Sequence, residues 1–233
     1  MGGSLQGQVA IVTGANGGLG TDVTKALLAA GATVAGIARS IAAGEAHDSQ
    51  YYPVSADLTD PGEVRELIAR LAEQFKQVDL LVHVMGGFAG GASVADTDDA
   101  TWKKMMDLNL NAAFYVLRAV IPVMRQAGHG TIIAIGSRQA VQPGANVAAY
   151  SASKAALLSL VQTVALENKD KNIRANVILP GTMDTAANRA AMPKANFDKW
   201  VKTSHVAELV VMLAGDVGGE ITGAAIPVYG PEG

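Results

Sequence analysis

Short apolar runs alternate along the chain with longer segments of helical period. Seven runs rich in Val, Ile and Leu, each bounded by glycine or polar residues, predict strands over Val9–Thr13, Thr33–Ala38, Tyr51–Ser55, Leu80–Met85, Thr131–Ile135, Ile173–Leu179 and Ala225–Tyr229. Runs this continuously apolar belong to strands covered on both faces. The segments between them predict helices over Leu19–Ala30, Pro61–Gln77, Asp98–Gln126, Ala149–Lys169 and Ser204–Ala214. Thr97 is the expected N-cap of the third, and Pro61 suits the first turn of the second. No repeat, low-complexity tract or linker interrupts the alternation, so residues 1–233 are expected to form one α/β domain, a doubly wound parallel sheet with helices on both faces. Ligands of such sheets sit outside the carboxyl ends of the strands.

Composition narrows the classes. Hydrophobic residues make up 49% and charged residues 17%, enough for a sizeable core and far from a disordered composition. Lys and Arg number 18 against 21 Asp and Glu, a net charge of −3, and no stretch concentrates the basic residues as a nucleic-acid surface requires. Without cysteine there is no disulfide framework, thiolate zinc site or cysteine nucleophile. The four histidines, His47, His83, His129 and His205, are too far apart to share a helical turn, so no metal site is expected. The start carries neither a basic segment nor an apolar one, and Gln6 stands where myristoylation needs Ser or Thr. The apolar stretch 80–95 is too short to cross a bilayer and is broken by Gly86, Gly87, Gly90 and Gly91. A cytoplasmic protein that does not enter the membrane is expected.

Glycine is the outlier, with 26 residues, and part of that excess follows the first predicted strand. Thr13-Gly14-Ala15-Asn16-Gly17-Gly18-Leu19-Gly20 leads from strand to helix, where missing side chains would let the backbone approach a pyrophosphate at the helix N-terminus. A tight structural turn gives the same pattern. At the end of the second strand, Ala38-Arg39-Ser40 stands where a carboxylate would hold the ribose of NAD. A guanidinium there suits a 2′-phosphate and favours NADPH over NADH, although a solvated surface Arg is the alternative. Tyr150 and Lys154 share a helix face at i, i+4 spacing, so the cation is placed to bring the phenol toward useful acid-base range. Ser137 ends the fifth strand and can donate to a carbonyl oxygen as charge develops on it. A Tyr and a Lys at this spacing also occur on helices as an amphipathic residue beside a snorkelling one.

These features come in one order: Thr-Gly-x-x-x-Gly-x-Gly, Asp57-Leu58-Thr59, Asn109 in Asp-Leu-Asn-Leu, Ser137, Tyr150 with Lys154, and Pro180-Gly181-Thr182-Met183-Asp184-Thr185. Together they resemble the short-chain dehydrogenase/reductase family over essentially the whole chain. The resemblance implies a Rossmann-type fold and hydride transfer between nicotinamide and a carbonyl or alcohol carbon, with Tyr150 as acid-base and Ser137 polarising the substrate. It further implies that Lys154 binds the nicotinamide ribose and lowers the Tyr150 pKa, and that Asn109 holds a water of the proton relay. Gly14, Asn16, Gly18, Leu19, Gly20, Arg39, Ser40, Asp57, Leu58, Met85, Gly86, Pro180, Gly181, Thr182 and Thr185 would bind the cofactor, with Asp57 and Leu58 at the adenine and Thr185 at the carboxamide. A homotetramer, or a homodimer, built on the helices at 98–126 and 149–169 is implied as well.

Where the family has Asn-Asn-Ala-Gly, this chain has His83-Val84-Met85-Gly86. His83 reads as a satisfied core residue and is left out of the site. A narrower resemblance joins 182–193, Asn196-Phe197 and Trp200, with the Gly-Gly-Phe-Ala-Gly-Gly of 86–91, to quinonoid dihydropteridine reductases. Those enzymes generally lack the serine, so Ser137 favours reduction of a small ketone or aldehyde, with pterin reduction as the alternative and a non-catalytic dinucleotide sensor as a third reading. Segment 182–203 is expected to form a lid over the substrate. Phe88, Met192, Phe197 and Trp200 are candidates for its apolar wall, or else packing residues of the loop.

Overall fold

The computed structural model describes residues 4–41 and 49–231. The first three residues of the chain and His47 lie outside them. In chain order the elements are β1 (Val9–Thr13), α1 (Gly18–Ala29), β2 (Thr33–Ala38), β3 (Tyr51–Ser55), α2 (Pro61–Phe75), β4 (Leu80–His83), α3 (Asp99–Met106), a π-helical turn (Asp107–Asn111), α4 (Ala112–Ala127), β5 (Gly130–Ile135), α5 (Ala148–Glu167) and β6 (Ile173–Pro180). There follow β7 (Met183–Asp184), α6 (Ala186–Ala191), β8 (Val201–Lys202), α7 (Thr203–Ala214) and β9 (Ala225–Val228). Seven strands form one parallel sheet in the order β3-β2-β1-β4-β5-β6-β9.

The sheet divides the core in two. Successive side chains of β1 alternate, with Ile11 toward α2, α4 and α5 and Ala10 and Val12 toward α1 and α7. Leu67, Val116 and Val161 fill the first layer, and Val23, Leu27 and Val210 the second. Because β2 and β4 flank β1 and the chain winds outward in both directions from it, the carboxyl end of β1 is a topological switch point. The expected doubly wound sheet is therefore present as a Rossmann-like arrangement in a single domain.

Four local differences from the sequence reading have identifiable causes. Helix α3 is capped by Asp98 rather than Thr97, because the Asp98 carboxylate accepts the Thr101 amide at 2.7 Å while the Thr97 hydroxyl donates to the Ser93 carbonyl. Strand β4 stops at His83 instead of Met85, since the Val84 and Met85 amides turn to the Thr13 hydroxyl. The helix expected over 98–126 contains the π-helical turn at Asp107–Asn111. Segment 182–203 has its own small structure, in which β7 pairs with β8 around α6. Among the described residues no helix is long and apolar enough to cross a membrane.

Candidate active site

A cleft of about 970 Å³ opens at the carboxyl ends of the central strands. Its size suits a large ligand. One end is made by the turn from β1 into α1. Gly14 has φ +67°, and a Cβ there would stand 3.1 Å from the Met85 backbone; at Gly20 it would fall 2.0 Å from the Gly14 carbonyl oxygen, and at Gly18 3.0 Å from the Thr185 side chain. A side chain is excluded at Gly20 by contact, and at Gly14 it is disfavoured by torsion together with a close backbone contact. Helix α1 begins at Gly18 with no side-chain cap, and Gly17 to Gly20 line the cleft, so its first amides are available to an anion.

Arg39 lines the same end beside Ile37, Ala38, Ala56 and Leu58. The Ser55 hydroxyl and the Asn16 amide donate to the Arg39 and Ser40 carbonyls, at 2.8 Å each, and tie the end of β2 to its neighbours. Ser40 and Asp57 do not line the cleft. The Asp57 carboxylate accepts from the amide and hydroxyl of Thr59, and those bonds, with the Arg39 charge, hold its pKa below the usual carboxylate range.

The other end is built where β5 meets α5. Ser137 follows β5, while Tyr150 and Lys154 lie one turn apart on α5, and all three line the cleft. The Ser137 oxygen accepts the Gln139 amide at 3.2 Å. Burial raises the Tyr150 pKa, and the hydrogen bond from Ser137 acts in the opposite direction. Lys154 is 4% exposed, and burial pushes its pKa down to about 8. Its Nζ donates to the Ile135 carbonyl at 2.8 Å. In this arrangement the contribution that opposes burial at Tyr150 comes from Ser137, while the Lys154 ammonium is turned to the β5 backbone.

Asn109 sits in the π-helical turn, fully buried behind the cleft wall. Its Oδ1 accepts the Gly87 amide at 2.8 Å and its Nδ2 donates to the Gly87 carbonyl and the Ser153 hydroxyl, at 3.0 Å each. A Cβ on Gly86 would lie 2.7 Å from Asn109 Oδ1 and 3.2 Å from Lys154 Nζ, so this glycine lets the β4 loop close over both. Phe88 is 67% exposed and meets the Tyr150 ring edge-on at 5.0 Å.

Met192 and Trp200 line the cleft from segment 182–203, as do Pro180, Gly181, Thr182 and Thr185; Phe197 does not. It packs against Trp200 at 4.8 Å beneath the Arg189 guanidinium, and Arg189 pairs bidentately with Asp184 at 2.6 and 2.8 Å. Sequence reasoning missed Arg138, Gln139, Val147, Asn188, Lys199 and Tyr229 as lining residues. Arg138 and Gln139 were recognisable as successors of a strand-end serine. Tyr229 has no such signal, since pairing of β9 with β6 brings it in from the far end of the chain.

The family model described as short chain dehydrogenase matches residues 8–196. The chain belongs to the short-chain dehydrogenase family. As a short-chain dehydrogenase it is 29% identical over 240 residues to the 3-oxoacyl-[acyl-carrier-protein] reductase FabG of Escherichia coli (strain K12), covering 97% of this chain and 98% of that protein. It is 32% identical over 252 residues to the short-chain dehydrogenase/reductase olcF of Penicillium canescens, covering 97% and 96%. The crystal structure of gox2181 superposes with a TM-score of 0.91 at 30% identity, over 97% of this chain and 95% of that one. Thermoplasma acidophilum aldohexose dehydrogenase, at 24% identity and TM-score 0.88, shares the fold over 98% and 95%. Short-chain dehydrogenases are oxidoreductases that use NAD(H) or NADP(H).

Proposed function

We propose that this short-chain dehydrogenase transfers hydride between NADPH and the carbonyl carbon of a small ketone or aldehyde, with Tyr150 exchanging the proton. The observation that carries this reading is the meeting of Ser137, Tyr150 and Lys154 on one wall of a cleft whose opposite end is a side-chain-free glycine turn. The nicotinamide supplies or accepts the hydride. Gly14, Gly18 and Gly20 leave room for the pyrophosphate at the start of α1, and Leu58 flanks the adenine. Arg39 reaches the 2′-phosphate, a role supported by its place in the cleft lining, where the described residues include no Asp or Glu. Ser137, whose oxygen already accepts the Gln139 amide, turns its proton from Tyr150 to the substrate oxygen. Tyr150 then protonates that oxygen in reduction, and Lys154 holds the ribose and stabilises the phenolate left behind. Asn109 fixes Gly87 and the helical turn behind Lys154. Segment 182–203 covers the substrate with Met192 and Trp200, facing Phe88, and the chain assembles as a homotetramer through α4 and α5.

NADPH consumption by the purified protein tests this against a panel of β-keto esters, thioesters and diketones, with a quinonoid dihydropterin alongside. Turnover of ketones is expected. Turnover of the pterin alone would replace this reading with pterin reduction. Tyr150→Phe should abolish turnover, by about a thousandfold, while NADPH binding measured by fluorescence persists; unchanged turnover would remove Tyr150 from the mechanism.

A further inference from the structure

His83 ends β4, and its surroundings are unusual in one respect. The ring is 1% exposed, on the face of β4 that also carries Leu81 into the α2, α4 and α5 layer. Nδ1 lies 3.1 Å from the Thr13 hydroxyl, whereas Nε2 is buried without a partner among the described residues. The same Thr13 oxygen accepts two further bonds, from the Val84 and Met85 amides, at 3.1 Å each. A hydroxyl oxygen has two lone pairs and one proton. With both lone pairs engaged by amides, the third contact is the hydroxyl donating to Nδ1, which leaves the proton of the neutral ring on Nε2.

We infer that His83 is a positioning residue of the cofactor cleft, holding the Thr13 hydroxyl in the one orientation that clamps the Val84–Met85 backbone against the glycine turn. The consequence is local and geometric. Met85 backbone atoms lie where a Cβ on Gly14 would approach within 3.1 Å, and the next residue, Gly86, closes over Asn109 and Lys154. The clamp thus sits between the pyrophosphate turn and the catalytic lysine, and sets their separation. Burial, helped by the nearby Lys154 charge, pushes the His83 pKa down to about 3, so the acceptor at Nδ1 is retained through the neutral range. An apolar filler would occupy the same space without a buried N–H, and would leave the Thr13 proton with no acceptor.

The effect on the cofactor rests on the proposed function; the hydrogen-bond arrangement does not. Histidine-selective ¹⁵N NMR of the cofactor-free protein should show one ring, identified by its loss in His83→Asn, as the neutral Nε2–H form from pH 5.5 to 8. An Nδ1–H form, or titration near pH 6, would overturn the inference. His83→Leu and Thr13→Val should each raise the NADPH dissociation constant about tenfold, with the larger change in KM for NADPH than in kcat, and speed amide exchange at Val84 and Met85. The double variant should be no weaker than Thr13→Val, since the residues act through one contact. His83→Asn, which keeps an acceptor, should restore both readouts. Wild-type affinity and exchange in His83→Leu, with only a lower Tm, would make His83 a packing residue and overturn the inference. If the wild-type protein binds neither dinucleotide the proposed function fails, while the NMR and exchange measurements still decide the clamp; if His83→Leu does not fold, the wild-type NMR and His83→Asn do so.

Discussion

At the residue scale the site stores an electrostatic cost. Lys154 has its folded pKa depressed from the ordinary 10.5 to about 8 by burial, so the folded protein carries a penalty that is full below pH 8 and fades as the pH rises toward 10.5. A displacement of this size corresponds to roughly 3 kcal/mol, a net figure that bounds what removing the buried charge can gain. Lys154→Met should therefore stabilise the protein by roughly 2 kcal/mol at pH 7 while removing turnover, with the advantage shrinking toward pH 10. Urea unfolding at the two pH values measures this; equal or lower stability of the variant at pH 7 would contradict it. Arg39 belongs to the same scale. As a clamp on a 2′-phosphate, its replacement by Ala should weaken NADPH binding roughly tenfold to a hundredfold and leave NADH nearly unchanged. Titration of both cofactors against the variant checks it, and equal loss for the two would make Arg39 a surface residue.

At the element scale, the amino-terminal edge of the sheet, opposite the cleft, is held by a charged knot. Asp79 accepts the Val9 amide at 2.7 Å and the Gln77 side chain at 2.9 Å, and pairs with His129 Nε2 at 2.6 Å. The bond to Asp79 raises the His129 pKa above 6.5, so its stabilising contribution is complete below that value and is lost as the pH rises through the folded pKa. The His129 side chain is half-exposed, which limits the pair to about 0.5 kcal/mol. His129→Gln should lower the urea midpoint at pH 5.5 and leave it unchanged at pH 8.5. The reverse order, or no difference at either pH, would show that the pair contributes nothing.

At the scale of the whole molecule, apolar residues remain uncovered on the outer helices. Trp102, Phe114 and Leu166 are 45%, 42% and 66% exposed on α3, α4 and α5, with the Arg118 guanidinium 5.1 Å above the Phe114 ring. Of these helices α4 and α5 are the ones proposed to meet in the homotetramer, and burying such a face is the ordinary driving force for symmetric assembly. Light scattering on the eluting protein should give a mass several times the 23.9 kDa of the chain, and Phe114→Glu should reduce it. A monomer at micromolar concentration would contradict the assembly.

What the sequence determined by itself is the winding of the sheet. Val9–Thr13, Thr33–Ala38 and Tyr51–Ser55 carry enough local information in their apolar runs and flanking glycines to set type and boundaries together. The order of glycine turn, Ser137, Tyr150 and Lys154 was equally legible, because each is a residue type in a fixed relation to a strand or helix end. Contacts between distant segments were not. The π-helical turn around Asn109, the early end of β4, the turn of Lys154 to Ile135 and the arrival of Tyr229 beside the cleft all depend on partners remote in sequence. His83 shows the difference most clearly, since its ring reads as core until the Thr13 hydroxyl, 70 residues away, is seen to require an acceptor. A pattern of side-chain types records which face a residue takes; which atom satisfies which donor is decided only when the strands are side by side.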